Sequence, residues 1–150
     1  MKYLRLLLFV IIAFVPSLSG IAVETGEWYA LLNKPKFTPP DWIFAPVWTF
    51  LYFLIGLSGW LVWESKASSY RLAFVFYFIQ LICNALWTIL FFGLHQPLIA
   101  LFDLLCLGFF LILNIIYFWN ISLLAGVLLL PYLGWISFAG YLNFKLWQLN

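Results

Sequence analysis

Few side chains in this sequence have the chemistry of a general acid, a general base or a metal ligand. The 150 residues include one histidine, His95, and five acidic residues, of which Asp103 lies inside a long apolar segment. Acid–base catalysis needs titratable groups within hydrogen-bond reach of one another, and a metal site needs a cluster of ligands. We therefore expect no metal and no required cofactor. We favour a lipid headgroup contact for His95 and, for Asp103, a structural bond to Lys145 or to an indole N–H.

Aromatic and amide side chains are the more promising groups. The sequence has 9 Trp, 8 Tyr and 17 Phe, and asparagines stand among them in several apolar segments. Stacked rings with a few polar groups suit a flat, amphipathic ligand. One set of such residues recurs at helical spacing and should form a stripe that faces the interior of a bundle. It consists of Tyr77, Gln80, Asn84, Trp87 and Thr88.

The elements that position these groups must be membrane helices. The sequence is 67% apolar and 8% charged, which leaves too little polar surface for a soluble domain. A bilayer-spanning helix needs about 20 mostly apolar residues. We predict an all-α membrane protein, one domain over residues 1–150 built as a five-transmembrane-helix bundle. The predicted helices cover residues 4–23, 43–63, 72–92, 98–119 and 121–147.

The first of these segments has two interpretations. It has a basic start, an apolar centre and then the small-residue sequence SLS, as in MKYLRLLLFVIIAFVPSLSG. This pattern is also typical of a cleaved signal peptide. Ile21, Ala22 and Val23 extend the apolar run beyond Pro16, which favours a retained helix.

The charged residues exclude one class of partner and suggest an orientation. The net charge is +2, and no basic run is longer than the pair Lys34 and Lys36, so we expect no nucleic-acid binding. One side of the predicted bundle carries four cations and the other carries three, which favours a cytoplasmic N-terminus. The four are Lys2, Arg5, Lys66 and Arg71, and the three are Lys34, Lys36 and Lys145.

Polar and aromatic residues of four predicted helices fall at one depth. When the helix directions alternate, this layer lies on the order of 6 to 14 Å below the surface that bears the long first connection. Its members are Trp48, Tyr52, Asn84, Trp87, Asp103 and Asn143. Trp135, Phe138 and Leu142 form a further row just after Pro131, where a bend can open space. Each residue alone could simply bond a neighbouring helix, but for the whole layer we favour a ligand pocket.

The long connection, residues 24–42, is predicted to cover this layer as a lid. Its prolines restrict the backbone, and Asp41 stands at the expected N-cap of the second helix. The alternative is that the prolines only end one connection and start a helix. The lid residues that we single out are Lys34, Pro35, Pro39 and Pro40.

A series of motifs runs through nearly the whole chain from Trp28 onwards. It consists of Trp28, Leu31, Lys34-Pro35, Pro39-Pro40, Pro46, Trp48-Thr49 and Leu51-Tyr52, followed by QLICNALWTILFFG, Asp103 and LLLPYLGWISFAGYLNFKLW. In this order and spacing the motifs resemble the translocator protein family, the tryptophan-rich sensory proteins related to the peripheral-type benzodiazepine receptor.

The resemblance implies a five-helix bundle, often a homodimer, with a retained first helix. It also implies binding of porphyrins such as protoporphyrin IX, of haem-like tetrapyrroles, of sterols and of synthetic isoquinoline carboxamide or benzodiazepine ligands. The family's binding positions correspond to Trp48, Asn84, Trp87, Trp135, Phe138 and Asn143. In some bacterial relatives two pocket tryptophans are implicated in light-driven porphyrin breakdown, and these correspond to Trp48 and Trp135.

The sequence departs from the family in the sterol motif proposed for the fifth helix. That motif needs a Tyr followed by a Lys or Arg, where this chain has Phe144 and Gln148, and this puts sterol binding in doubt. A tetrapyrrole would still suit an aromatic slot, with hydrogen bonds from Asn84 and Asn143 and with Lys34 and Lys36 available to its propionates.

Three functional hypotheses remain. The first is a multi-pass protein of a bacterial cell membrane that binds, translocates or senses tetrapyrroles, as a transport, receptor or stress-response component. The second is an enzyme that degrades porphyrin in the light, with Trp48 and Trp135 as the catalytic candidates. A channel ranks last, because the fourth and fifth helices are nearly unbroken apolar sequence towards the N-terminal side.

Overall fold

The computed structural model describes residues 1–23, 26–68 and 70–150, and every regular element in these ranges is helical. A 3-10 turn at Asp41–Ile43 precedes α4, and a π-helical turn at Ile89–Gly93 follows α5. The α-helices are α1 (Lys2–Phe14), α2 (Ser17–Ala22), α3 (Glu27–Leu31), α4 (Phe44–Glu64), α5 (Tyr70–Thr88), α6 (Pro97–Ile121), α7 (Leu123–Leu128) and α8 (Leu130–Leu149).

Within the described ranges, four helical segments are long and apolar enough to cross a membrane. They cover Asp41–Glu64, Tyr70–Gly93, Pro97–Ile121 and Leu123–Leu149. The predicted second, third and fourth helices therefore agree with the structure to within a few residues at each end. The chain is a membrane protein with an all-helical fold.

The prediction of one continuous helix over residues 4–23 is wrong. The segment forms two shorter helices, α1 of 13 residues and α2 of 6 residues, with a turn at Val15 and Pro16. Pro16 lacks a backbone N–H and its ring crowds the preceding turn, so the helix cannot continue through it. The hydroxyl of Ser17 donates to the carbonyl of Phe14 at 2.6 Å and satisfies one of the freed groups.

The predicted fifth helix, residues 121–147, is also interrupted. It begins as α7 and restarts as α8 at Leu130, directly before Pro131. Pro131 is tolerated in the first turn of α8, where its missing N–H has no helical partner to lose. The hydroxyl of Ser122 caps α7 by accepting from the N–H of Ala125 at 3.4 Å.

Close helix packing joins α1 to α4. A Cβ atom at Gly56 would lie 2.7 Å from the Cα atom of Val10, so the two backbones approach more closely than any larger residue allows. Small residues at such contacts are typical of membrane helices, where van der Waals packing drives association. At the end of this contact the guanidinium of Arg5 pairs with the carboxylate of Glu64.

The predicted stripe on the third helix is confirmed. Tyr77 and Gln80 of α5 are fully buried and Asn84 is 4% exposed. The hydroxyl of Tyr77 donates to the backbone carbonyl of Ile55 in α4 at 3.3 Å. The stripe therefore faces the interior and carries polar groups into the bundle.

The two ends of the bundle are distinct. The start of α1, the end of α4 and the start of α5 meet at the Arg5–Glu64 pair, and we call this the N-terminal end. At the opposite end the side chain of Asn143 in α8 donates to the carbonyl of Pro97 in α6 at 2.7 Å. We call this the lid end, because residues 26–42 of the long connection lie there.

Candidate functional site

A cavity of about 510 Å³ lies at the lid end. It is bounded by α2, α3, α4, α5, the π-helical turn and α8, and most of the side chains that line it are apolar or aromatic. The lining residues are Pro16, Ser17, Gly20, Gly26, Tyr29, Ala30, Asp41, Phe44, Ala45, Trp48, Tyr52, Asn84, Trp87, Thr88, Phe91, Phe92, Ala139, Leu142, Asn143 and Leu146. A pocket of this size and character is typical of sites for small amphipathic molecules.

The structure brings five of the seven predicted ligand-binding residues to this one cavity. These are Trp48, Tyr52, Asn84, Trp87 and Asn143. Three helices, α4, α5 and α8, bring these residues together at a single depth. Trp135 and Phe138 are half-buried on α8 and do not line the cavity.

A buried chain of hydrogen bonds forms one polar patch of the wall. The hydroxyl of Tyr52 donates to Oδ1 of Asn84 at 2.8 Å, and Nδ2 of Asn84 donates to the hydroxyl of Tyr132 at 2.9 Å. Tyr132 is fully buried and Tyr52 is 6% exposed. Because a buried polar group without a partner is costly, this chain fixes the rotamers of all three side chains.

A second polar pair lies nearer the lid end. Nε1 of Trp87 donates to Oδ1 of Asn143 at 3.0 Å, while Nδ2 of Asn143 donates to the carbonyl of Pro97 at 2.7 Å. Both amides of the predicted site are thus already bonded within the protein. These hydrogen bonds orient the side chains of Tyr52 and Trp87, and the two amides are not free to bind a ligand.

Stacked aromatic pairs provide the flat surfaces of the cavity. Trp48 stacks on Tyr52 with ring centroids 5.3 Å apart, and Trp87 stacks on Phe91 at the same separation. The π-helical turn brings both Phe91 and its neighbour Phe92 to the cavity wall. Such turns often occur at functional sites because the wider helix redirects side chains.

Trp135 stands behind the wall rather than in it. Its ring packs edge-on against Phe44, with centroids 5.8 Å apart, and Phe44 lines the cavity. Phe138 packs against Trp135, with ring centroids 5.8 Å apart. These two residues therefore support one wall of the cavity through Phe44.

The lid contains a short helix that the sequence prediction did not include. Tyr29 and Ala30 of α3 line the cavity, whereas the predicted lid residues Lys34, Pro35, Pro39 and Pro40 do not. Burial and the nearby carboxylate of Asp41 raise the pKa of Tyr29, so its phenol stays neutral.

Two contacts hold the lid to the rest of the protein. The ring of Trp28 stacks on His95, with centroids 4.4 Å apart and planes 14° from parallel. Beyond α3, the backbone N–H of Asn33 donates to Oδ1 of Asn150 at 2.9 Å, and Nδ2 of Asn150 donates back to the carbonyl of Asn33 at 3.1 Å. The lid is therefore tied both to the loop before α6 and to the end of α8.

Two structural roles proposed from the sequence are wrong. Asp41 is the first residue of the 3-10 turn after Pro40 and makes no capping hydrogen bond; it lines the cavity instead. Oδ2 of Asp103 is buried without a hydrogen-bond partner among the described residues, and Nζ of Lys145 bonds to Gln148. Among residues 1–23, 26–68 and 70–150, no three His, Cys, Asp or Glu residues lie close enough together to hold a metal ion.

Several lining residues escaped the sequence prediction. Tyr132 does not line the cavity but bonds Asn84, and its position has a detectable signal, since it stands 7 and 11 residues before Ala139 and Asn143 on the same helix face. Phe91 and Phe92 carry no such signal, because their placement depends on the π-helical turn. Pro16, Ser17 and Gly20 reach the cavity only because the first segment breaks at Pro16.

Comparison with known proteins gives one consistent result. The model of the TspO/MBR family matches residues 6–148. The tryptophan-rich protein TspO of Archaeoglobus fulgidus is 48% identical over 129 residues, covering 86% of this chain and 84% of the relative. The tryptophan-rich sensory protein of Cereibacter sphaeroides is 37% identical over 150 residues, covering 100% and 94%. The translocator protein of Bos taurus is 39% identical over 145 residues, covering 91% and 86%. The chain belongs to the TspO/MBR family of membrane proteins.

Proposed function

We propose that this protein binds a tetrapyrrole, such as protoporphyrin IX or a haem-like ring, in the lid-end cavity and acts as its translocator or sensor. The observation that carries the proposal is the pairing of stacked rings, Trp48 on Tyr52 and Trp87 on Phe91, on the walls of one cavity of about 510 Å³. Flat aromatic guests gain most from such surfaces, because offset stacking adds to the burial of apolar area.

The charged edge of a tetrapyrrole would lie towards the lid. Lys36 is exposed there, and Nζ of Lys34 lies 4.6 Å from the centroid of the Tyr29 ring and 3.2 Å from the carbonyl of Ala30. Lys34 contacts Tyr29 and Ala30, which line the cavity, so it could meet a propionate group, which a lysine binds as a mobile point charge. Asp41 on the wall would disfavour an anion that entered more deeply.

Light-dependent breakdown of the bound porphyrin is the second candidate function. Trp48 lines the cavity, stacks on Tyr52 at 5.3 Å and meets the ring of Tyr132 edge-on at 6.1 Å, so three oxidisable rings are in contact beside the ligand. Trp135 would contact the same ligand only through Phe44. Sterol binding has less support, because Phe144 is paired with Trp147 and does not line the cavity.

We also propose that α1 and α2 together supply a fifth membrane span. The segment Lys2–Ala22 is long enough, at about 1.5 Å per residue, to cross a hydrocarbon core of about 30 Å. Its packing against α4 at Gly56 supports this placement. In this arrangement the N-terminus would be cytoplasmic, the host would be a bacterial or archaeal cell membrane, and the protein would form a homodimer as the resemblance to its family implies.

The test is a titration of the detergent-solubilised protein with protoporphyrin IX, in darkness and then under illumination. Saturable quenching of tryptophan fluorescence with an unchanged porphyrin spectrum would support binding without turnover. Saturable quenching followed by light-dependent loss of the porphyrin bands would favour the enzyme. Quenching that rises linearly without saturation would contradict both.

A further inference from the structure

A second cleft, of about 370 Å³, lies at the N-terminal end, at the opposite end of the bundle from the lid. It is formed where the first turns of α1 approach the end of α4, the following turn and the start of α5. The residues that line it are Arg5, Trp63, Glu64, Lys66 and Tyr70. None of them contributes to the lid-end cavity.

We propose that this cleft binds the phosphate group of an anionic glycerophospholipid. The ligand would enter from the surrounding leaflet, with its phosphate on the ammonium of Lys66 and its glycerol backbone against the rings of Trp63 and Tyr70. This site is independent of the tetrapyrrole proposal.

The charges of the cleft favour an anion. The carboxylate of Glu64 is bonded by Nε of Arg5 at 2.5 Å and by Nη2 at 3.2 Å, so its charge is already matched. The ammonium of Lys66, which also lines the cleft, is then in excess. Basic clusters between helix ends are the usual sites for anionic lipid headgroups.

The aromatic wall places the cleft at the level of the headgroups. The rings of Trp63 and Tyr70 meet edge-on, with centroids 5.8 Å apart, and Trp63 is 46% exposed. Tryptophan and tyrosine are enriched at the membrane–water interface, where an apolar ring and a polar edge are both satisfied. A phosphate held beside them would leave the acyl chains in the hydrocarbon region.

The backbone at Lys66, just beyond the end of α4, is unusual for a lysine. Lys66 has φ 53°, a left-handed conformation that glycine adopts without steric cost at the end of a helix. A lysine at this position is unfavourable for the backbone alone. Strained residues of this kind often serve a function, and here the strained residue is the cation that lines the cleft.

The left-handed backbone at Lys66 allows a variant that removes the charge without a loss of stability. Lys66→Gly removes the cation but suits the left-handed backbone, so it should retain or raise the thermal stability in zwitterionic detergent. Lys36→Gly is the matched control, because it removes one exposed lysine from the lid end. Lys66→Arg keeps the charge and should restore binding.

The experiment is native mass spectrometry of the protein released from nanodiscs of phosphatidylcholine with phosphatidylglycerol. We expect the ratio of phosphatidylglycerol to phosphatidylcholine adducts to fall about fivefold in Lys66→Gly, since one cation near the headgroup contributes about that factor. The ratio should not change in Lys36→Gly. Equal ratios in the wild type and Lys66→Gly would overturn the proposal. Displacement of the bound lipid by millimolar inorganic phosphate would overturn the lipid as its occupant and assign a free anion instead.

Discussion

The hydroxyl of Tyr52 donates a hydrogen bond of 2.8 Å to Oδ1 of Asn84, and this bond joins α4 to α5 at the wall of the cavity. Through its own N–H, Asn84 continues the chain to Tyr132 on α8. One amide therefore fixes three helices around the site. The ring of Trp48, stacked on Tyr52, takes its position from this chain.

Replacement of Asn84 should lower both stability and affinity. Asn84→Leu leaves the Tyr52 and Tyr132 hydroxyls without their partner, and the free energy of unfolding should fall by about 1 to 3 kcal/mol. Tyr52→Phe removes one hydroxyl and should have a smaller effect. Thermal unfolding in detergent and porphyrin titration would measure the two changes. Unchanged titration curves for Asn84→Leu would show that the hydrogen-bond chain does not shape the ligand site.

Trp48 and Trp135 should differ in their effect on binding. Trp48→Phe removes a ring of the cavity wall and should weaken protoporphyrin IX binding about tenfold, an amount expected for lost stacking area. Trp135→Phe acts behind Phe44 and should stay within a few-fold of the wild type. The measurement is the dissociation constant of each variant from fluorescence quenching.

The same pair of variants tests the light reaction. If porphyrin is degraded under illumination, Trp135→Phe should abolish the reaction while it keeps binding, according to the role that the family resemblance implies for this residue. Equal turnover in Trp135→Phe and the wild type would assign the reaction to the Trp48–Tyr52 stack instead.

Loosening the lid should speed ligand release. Asn150→Ala removes both bonds to the backbone of Asn33, and the dissociation rate of the porphyrin should rise roughly two- to tenfold. Gln148→Ala is the matched control, because its side chain bonds Lys145 and not the lid. Stopped-flow dilution would measure both rates, and equal rates in the two variants would contradict a role for the lid.

The contact between α1 and α4 should tolerate no added methyl group. Gly56→Ala forces the helices apart, because its Cβ would lie 2.7 Å from Val10, and overpacking of this kind costs about 1 to 3 kcal/mol. Gly108→Ala meets no atom within 4 Å and should be neutral or stabilising through helix propensity. The melting temperatures of the two variants in the same detergent test this difference.

Much of the site could be predicted because it depends on regular periodicity. The stripe of Tyr77, Gln80 and Asn84 follows directly from helical spacing, and the common depth of Trp48 and Asn143 follows from alternating helix directions. A polar amide within an apolar segment is costly to expose to lipid, and Gln80, Asn84, Asn114 and Asn143 are all buried.

The remaining features depend on local backbone breaks that periodicity does not reveal. Pro16 splits the first segment and so brings Gly20 to the cavity, and the π-helical turn adds Phe91 to it. Trp135 belongs to the aromatic row of α8, but Phe44 packs against its ring and Phe44, not Trp135, lines the cavity. The pairing of Asn33 with Asn150 joins residues 117 positions apart, which no local pattern indicates.

Filling the lid-end cavity and repeating the porphyrin titration tests tetrapyrrole binding at this site. Gly20 lines the cavity and has no atom within 4 Å of a built Cβ, so Gly20→Leu starts from an unhindered position and adds volume at the cavity. Gly140→Leu is the control, since Gly140 is equally unhindered but does not line the cavity. We predict that protoporphyrin IX binding is lost or weakened at least about tenfold in Gly20→Leu and unchanged in Gly140→Leu. Equal saturable binding by both variants would place the ligand elsewhere and contradict tetrapyrrole binding in the lid-end cavity.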